Sequence, residues 1–301
     1  MDSKLAPTIN LYDHPVFTGE PPGLKYVYHY TRWERLLDIM ETGLRLGPLA
    51  QMNDPRESKD WLPNLLIQGL TLPDETAMIA EKEARDYKRK IRVAAFCLDQ
   101  PFGNMDNQGR RGYARPRMWA QYADNHHGVC IVFDRAGLDQ AIRQRYPEQG
   151  ASWVRRGGVQ YIETAQEDAI SISVELKSAD QARESVQKHF HRYAEQLFFN
   201  KHVDWRDENE YRWVYYDADQ SQTGEDGWKT PFADIKNHVV AIVLGADYAD
   251  AHLPIARMFA QDHNIHGVIV RCWWRGLLRQ KYLTGQYPQY KPDPDRGRIR
   301  V

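Results

Sequence analysis

Short apolar runs alternate with longer polar segments along the chain, and this pattern predicts a fold that mixes strands and helices. The apolar runs predict strands at residues 24–30, 91–98, 128–133, 238–244 and 267–271. Apolar positions at helical spacing predict helices at residues 74–90, 118–125, 178–199 and 249–262. Because strands and helices do not alternate regularly, we predict one α+β domain over residues 24–284. A flexible N-terminal arm (1–23) and an irregular C-terminal tail (285–301) flank this domain.

The first predicted strand leads directly into a helix. Thr31 stands where an N-cap is expected, Glu34 follows at capping-box spacing, and Gly43 supplies a C-terminal stop. His29 lies at the end of the strand, where its ring can reach a ligand that lies over the sheet. A half-buried histidine satisfied by the backbone is the commoner outcome, so both interpretations stay open.

A charged and aromatic segment, residues 205–216, is the most informative part of the chain. Side chains alternate along a strand, so Glu208, Glu210 and Arg212 are predicted to share one face. The other face, which can pack on a core, carries Asn209, Tyr211, Trp213 and Tyr215. Two interpretations remain open: a binding or catalytic site, or an edge strand with a solvated charged face. The spacing alone slightly favours the edge strand.

Two further polar segments are candidates for ligand binding. The turn at Asn53 and Asp54 precedes a proline, so Asp54 is expected to cap a short helix that places Glu57 in its first turn. The segment 110–119 combines a dense basic patch with aromatic residues. Arg110, Arg111 and Arg115 are therefore candidates for phosphate binding, although a solvated loop explains them as well.

Composition and missing motifs narrow the possible functions. The formal net charge is -1, so no global field attracts nucleic acid or membranes. Cys97, Cys130 and Cys272 are dispersed, which argues against disulfide and zinc frameworks. His126 and His127 lack a metal-binding spacing, so we predict no metal site. Nucleotide-binding glycine motifs and the nucleophile elbow are absent. With no apolar segment of membrane length and no signal peptide at residues 1–18, we expect a cytoplasmic protein.

A set of motifs across about residues 26–245 resembles an uncharacterised bacterial family of unknown function, some members of which occur in phage-defence settings. The motifs are Asn53-Asp54-Pro55-x-Glu57, Phe96-Cys97, Met118-Trp119-x-x-Tyr122-x-x-x-His126-x-Gly128, and Lys201-x-x-x-Trp205-x-x-Glu208-x-Glu210-Tyr211-Arg212.

A more distant resemblance is to the ADP-ribosyltransferase superfamily. The segment from Tyr28-His29-Tyr30-Thr31 to Gly43-Leu44 is similar to its first motif, and Glu208-Asn209-Glu210 is similar to its catalytic Glu-x-Glu. The middle motif of the superfamily has no clear match here. This resemblance implies a split β-sheet core and an enzyme that cleaves the nicotinamide–ribose bond of NAD, in a phage-defence or toxin-type system. The acceptor is undefined, with nucleic acid and protein among the candidates.

The resemblance also implies roles for individual residues. Glu210 would stabilise the oxocarbenium-like transition state, and Glu208 would orient or deprotonate the acceptor. The NAD-binding residues would be His29, Tyr30, Thr31, Asn53, Trp119 and Tyr122. Arg110, Arg111 or Arg115 would hold the pyrophosphate or the acceptor. The transferase hypothesis requires that His29 and Glu210 line the same cleft.

Two alternatives come from other functional classes. In a metal-dependent nuclease, Asp207, Glu210 and Arg212 would imitate an Asp…Glu-x-Lys site, although arginine does not replace lysine there. In a non-catalytic protein, the same fold would bind a ligand or a partner. Release of nicotinamide from NAD, chelator-sensitive cutting of nucleic acid, and inactivity in both assays would distinguish the three hypotheses.

Overall fold

The structure is a computed structural model, and the residues that it describes are Val16, 24–59, 64–67, 74–100, 109–164, Ala169, 171–174, 178–220, 233–265, 269–274 and 278–282. Of the predicted arm, only Val16 is described, and it is buried against the core. The predicted tail lies outside the described residues. No helix in the described part of the chain is long and apolar enough to cross a membrane.

Strands and helices are interspersed along the described residues. The strands are β1 (Tyr26–Thr31), β2 (Gly47–Pro48), β3 (Asn64–Ile67), β4 (Ile91–Cys97), β5 (Val129–Asp134), β6 (Trp153–Gly158), β7 (Gln160–Ile162), β8 (Ser171–Val174), β9 (Asn200–His202), β10 (Glu210–Tyr216), β11 (Val239–Leu244), β12 (Ile269–Trp274) and β13 (Leu278–Tyr282). The α-helices are α1 (Trp33–Thr42), α2 (Pro55–Ser58), α3 (Asp74–Arg89), α4 (Pro116–Tyr122), α5 (Arg135–Arg145), α6 (Ala179–Arg192), α7 (Ala194–Phe198) and α8 (Leu253–Asp262).

One mostly antiparallel sheet organises the fold, in the order β13-β12-β11-β5-β1-β4-β10-β6, with β2 also paired to β4. Only β11 and β12 run parallel within it. Two small parallel pairs, β3–β8 and β7–β9, lie outside it. The predicted α+β class is therefore confirmed. The predicted strands at 91–98, 128–133 and 238–244 correspond to interior strands, which explains their continuous apolar sequences.

Apolar side chains cover both faces of the sheet. One face packs on α1, α5 and α8 and includes Phe96, Ile131 and Trp213. The opposite face carries two clusters. The first contains Tyr28, Cys97 and Trp119, and the second contains Val93, Val214 and side chains from α3 and α6. Glu210 and Arg212 lie on this second face, between the two clusters.

Strand β10 differs from the edge strand that its charges suggested. It lies between β4 and β6, and all seven of its residues are buried. The edge-strand interpretation is therefore wrong. The predicted alternation is confirmed for the opposite face, because Tyr211, Trp213 and Tyr215 lie in one apolar cluster. Glu208 is not on the strand, since it ends a 3-10 helix and Asn209 adopts a left-handed conformation with φ 43°.

Several predicted helix boundaries also change, among them the helix predicted at 118–125, which is Pro116–Tyr122, and the one predicted at 249–262, which begins at Leu253. Thr31 is the last residue of β1, and Arg32 occupies the N-cap of α1 without a side-chain cap, so the predicted capping box does not form. Gly43 ends α1 as expected, since its N–H donates to the Ile39 carbonyl. The predicted helix 178–199 is two helices, α6 and α7, which are separated at Tyr193.

Candidate functional site

A cavity of about 820 Å³ opens where β1 separates from β4. These two strands are paired at Tyr28 opposite Cys97. A regular antiparallel ladder would continue with Tyr30 opposite Ala95, but both of these residues instead line the cavity. Strand β2 pairs with β4 again at Val93. The opening therefore lies within the sheet, and its volume falls in the range of small-molecule sites.

His29 lies at the start of this opening. Its Nδ1 is 3.2 Å from the Ala95 carbonyl oxygen, and its ring contacts Phe96 at 5.8 Å. A carbonyl oxygen only accepts, so this bond assigns the ring proton to Nδ1 and leaves Nε2 as an acceptor. Burial lowers the pKa of His29, which favours this neutral form. Strand alternation places His29 and Glu210 on opposite faces of the sheet, so a ligand that contacts both must pass through the opening.

Glu210 begins β10 and is held by two cations. Arg212 shares its strand face and donates Nε to one carboxylate oxygen at 2.5 Å and Nη2 to the other at 2.8 Å. The Lys201 Nζ lies 2.8 Å from Oε2. Burial alone would raise the pKa of Glu210, but Arg212 and Lys201 outweigh burial and lower it to about 2. Glu210 is therefore ionised under all ordinary conditions.

Glu208 and Glu210 are linked by Lys201, whose ammonium group contacts both carboxylates. The Lys201 Nζ donates to Glu208 Oε2 at 2.8 Å, and the Tyr122 hydroxyl donates to Oε1 at 2.7 Å. Tyr122 is the last residue of α4, and the side chain of Asn53 is a further hydrogen-bond partner of its hydroxyl. The four residues Glu208, Glu210, Tyr122 and Lys201 thus form one end of the cavity wall.

Glu57 is the third carboxylate of the buried cluster and contacts both of its cations, Arg212 and Lys201. It lies on α2, which Asp54 caps as predicted by accepting from the Arg56 N–H. One Glu57 oxygen accepts from Arg212 Nη1, and the other lies 3.9 Å from Lys201 Nζ. Burial raises the pKa of Glu57 despite the attraction of Arg212. The Asn-Asp-Pro turn therefore positions a third carboxylate against the two cations.

The charges of this cluster nearly balance. Glu57, Glu208 and Glu210 face Lys201 and Arg212, so full ionisation leaves one surplus negative charge. An ionised carboxylate offers about four lone-pair positions. Glu210 uses three of them, and one on Oε1 remains available. Glu208 accepts from Tyr122 and Lys201, which leaves one further position on each oxygen.

Seven of the residues predicted for the site lie on the wall of this one cavity: His29, Tyr30, Thr31, Asn53, Tyr122, Glu208 and Glu210. His29 and Glu210 both line this cavity, from opposite faces of the sheet, and the transferase hypothesis itself stays a prediction. Trp119 does not line the cavity, because it is buried beneath Tyr30 and donates its ring N–H to the Tyr113 carbonyl.

The three predicted basic residues also lie away from the cavity lining. Arg111 is completely buried and lies 3.6 Å from Asp99, while Arg115 is 7% exposed. Arg110 donates to the Gln100 carbonyl. The solvated-loop interpretation therefore does not describe Arg111 and Arg115, and their proposed contact with a phosphate stays a prediction.

Several cluster residues were not assigned to the site from the sequence. Lys201 and Glu57 stood in the family-like motifs without a role, and Arg212 is a clamp for Glu210. Tyr161 had no sequence signal. It lies beside Lys201 in the β7–β9 pair, and its hydroxyl oxygen accepts from the Glu210 N–H at 2.8 Å.

Comparison with known proteins gives one match. A family model described as a protein of unknown function, DUF2971, matches residues 118–213. The match includes the segment from α4 to β10, and therefore Tyr122, Lys201, Glu208 and Glu210. Neither the curated proteins nor the solved structures contain a match. The expected resemblance to an uncharacterised family is thus supported over this segment.

The described residues contain no group of three or more histidine, cysteine, aspartate or glutamate side chains arranged to hold a metal ion. In the buried cluster, the cations of Lys201 and Arg212 already stand between the carboxylates. The nuclease alternative stays a hypothesis.

Proposed function

We propose that this protein cleaves the nicotinamide–ribose bond of NAD and transfers ADP-ribose, with Glu210 as the main catalytic carboxylate. The observation that carries the proposal is the single cavity lined by His29 and Glu210 at the opening between β1 and β4. The proposal assigns to this opening the role that the split core has in ADP-ribosyltransferases. In this proposal the dinucleotide contacts both faces of the sheet through this opening.

The binding step uses neutral and charged groups at the two ends of the cavity. At one end, the Nε2 of neutral His29 accepts a hydrogen bond from a ribose hydroxyl. At the other end, the free lone pair on Glu210 Oε1 accepts from the 2′-hydroxyl of the nicotinamide ribose. Because Arg212 holds both Glu210 oxygens, the carboxylate is preorganised and does not reorient during the reaction.

The chemical step places positive charge on the ribose as the bond to nicotinamide breaks. The electron pair of that bond leaves with nicotinamide, which becomes neutral, and the sugar becomes oxocarbenium-like. The ionised carboxylate of Glu210 attracts this cation more strongly than it attracts the ground-state sugar. Such differential stabilisation is what accelerates a reaction. Glu208 then receives the proton of the attacking acceptor.

The test is to incubate the full chain with NAD and to quantify free nicotinamide by liquid chromatography with mass spectrometry. We expect release by the wild type and at least about a hundredfold slower release by Glu210→Gln, the magnitude typical for loss of one preorganised electrostatic group. The matched control is Glu184→Gln, an exposed helix residue that should retain full activity.

Thermal melting of each variant separates loss of chemistry from loss of folding. As a second variant, His29→Asn should weaken NAD binding and so mainly raise KM, because its role is binding. Unchanged turnover in folded Glu210→Gln would remove Glu210 from the mechanism. Absence of nicotinamide release with water, protein and nucleic acid as acceptors would refute the proposed function.

A further inference from the structure

Lys201 occupies the place between the two carboxylates of the Glu-x-Glu motif. Its Nζ is 2.8 Å from an oxygen of Glu208 and 2.8 Å from an oxygen of Glu210. The side chain is 2% exposed, lines the cavity and lies under the Trp205 ring at 5.5 Å. Burial alone would lower the pKa of Lys201, but Glu210, Glu57 and Glu208 outweigh burial and raise it. Lys201 is therefore a fixed positive charge at the reacting end of the cavity.

We infer that Lys201 sets the acceptor specificity of the site, and that the acceptor is electrically neutral, such as water or an uncharged hydroxyl, rather than a guanidinium or ammonium group. This inference rests on the proposed NAD cleavage. It concerns the group that attacks the sugar once nicotinamide has left.

The first argument is the charge that the cluster can balance. With all three carboxylates ionised, the surplus is one negative charge, and with Glu57 protonated there is none. The developing oxocarbenium ion already supplies one positive charge. A cationic acceptor would add another beside Lys201 and Arg212, and juxtaposed like charges are strongly disfavoured at a desolvated site.

The second argument is the hydrogen bonding of Glu208. A guanidinium binds a carboxylate best as a two-pronged fork that uses both oxygens. In Glu208, Lys201 already holds Oε2 at 2.8 Å and the Tyr122 hydroxyl holds Oε1 at 2.7 Å. One lone pair remains on each oxygen, so a fork could bond to both only with its guanidinium beside the Lys201 ammonium, where the like charges repel. A hydroxyl needs only one of the remaining lone pairs.

The transfer step is balanced with a neutral acceptor. The C1′–nitrogen bond to nicotinamide breaks first and its electron pair leaves with nicotinamide, and the oxygen of the acceptor then forms a bond to C1′ of the ribose. The acceptor proton passes to Glu208 and then to solvent. NAD and one hydroxyl compound therefore give nicotinamide, the ADP-ribosylated compound and one proton.

The experiment offers the wild-type chain NAD in buffer that contains methanol as a neutral acceptor and agmatine as a guanidinium acceptor. Nicotinamide, ADP-ribose and the two adducts are quantified together by mass spectrometry. After correction for concentration, we expect at least about tenfold less agmatine adduct than methyl adduct. Lys201→Met removes the charge at similar length and should raise the ratio of agmatine to methyl adduct about tenfold. Lys201→Arg should keep the wild-type ratio.

The ratio is independent of the overall rate, so slower turnover in a variant does not obscure it. Lys188→Met, at an exposed position, is the matched control and should leave the ratio unchanged. The inference is overturned if the wild type modifies agmatine as readily as methanol, or if folded Lys201→Met shows no rise. Should Lys201→Met fail to fold, the wild-type and Lys201→Arg ratios still decide the question. Absence of nicotinamide in the wild-type reaction would refute the NAD cleavage itself, and this outcome is read separately in the same assay.

Discussion

Replacement of Arg212 by methionine tests whether the buried clamp stabilises the charge of Glu210. The Arg212 side chain is inaccessible to solvent, and its guanidinium donates to Glu210, to Glu57 and to the Phe198 carbonyl. Methionine fills much of the same volume without a charge. The variant therefore leaves two buried carboxylates without their main cation.

Two estimates give the stability that Arg212→Met should lose. The pKa of Glu210 falls from its usual 4.5 to about 2. At about 1.4 kcal/mol per pKa unit, this corresponds to roughly 3–4 kcal/mol of stability at pH 7, which Arg212 shares with Lys201. Removal of one partner from a buried ion pair costs about 3–5 kcal/mol in general. We therefore expect Arg212→Met to lower the free energy of unfolding by about 3–5 kcal/mol at pH 7.

The pH dependence of the stability loss in Arg212→Met shows whether the buried carboxylates cause it. Because the folded-state pKa of Glu210 is depressed, its contribution to stability is present above the unfolded pKa of about 4.3 and is lost as the pH falls toward 2. Glu57 has a raised folded-state pKa, so its contribution is present at low pH and is lost as the pH rises. Protonation at low pH removes the charge of both carboxylates, Glu210 and Glu57, that lose their main cation in the variant. The difference in free energy of unfolding between wild type and Arg212→Met should therefore be substantially smaller at pH 3.

Urea unfolding followed by tryptophan fluorescence at pH 7 and pH 3 measures both free energies. The matched control is Arg183→Met, whose side chain is 50% exposed and pairs with the exposed Asp180. Surface pairs contribute only about 0–1 kcal/mol, so this control should change little. A loss below about 1 kcal/mol for Arg212→Met, or an equal loss at both pH values, would refute the clamp.

Three further predictions concern packing and titration. Gly128→Ala should lower the free energy of unfolding by roughly 1–3 kcal/mol, because a Cβ there would lie 2.4 Å from a backbone oxygen. Gly157→Ala, where the nearest atom is 3.8 Å from the added Cβ, should be nearly neutral in the same urea experiment. Cys97 and Cys130 are buried, and burial raises the pKa of Cys97, so mass spectrometry should detect alkylation of both only after denaturation. His29 should titrate below pH 6.5 in an NMR experiment, because burial disfavours its charged form, and a midpoint above 6.5 would contradict its assigned neutral state.

The sequence predicted strands best where they are buried on both sides. Strands β4, β5 and β11 lie inside the sheet, and their continuous apolar runs could be recognised without tertiary information. Strand β6 was missed because it lies at the sheet edge and carries Arg155 and Arg156, so its sequence is not apolar. Helix α5 was missed because its buried side is narrow and includes Asp139.

The site was predictable only as far as local geometry determines it. Strand alternation correctly placed Glu210 and Arg212 on one face. The position of Glu208 depends on the left-handed Asn209, which no periodicity rule identifies. Lys201 reaches both glutamates from β9, whose position is set by its pairing with β7 outside the main sheet, and that strand pairing joins residues far apart in the sequence.

The proposed function would give the buried charges of this site a role that stability alone does not. A buried ion-pair network often stabilises a fold no more than apolar residues of similar volume would. The rest of β10 shows that the sheet accommodates an apolar residue at this depth, because Val214, two positions after Arg212 and on the same face, is fully buried. Glu210 and Arg212 instead begin the strand where the cavity opens, and Glu57 and Lys201 bring compensating charges from other elements. A fixed, ionised carboxylate beside a cavity is costly as packing but suited to stabilising a positive transition state. This cost is the physical reason to test the cluster first as a catalytic site.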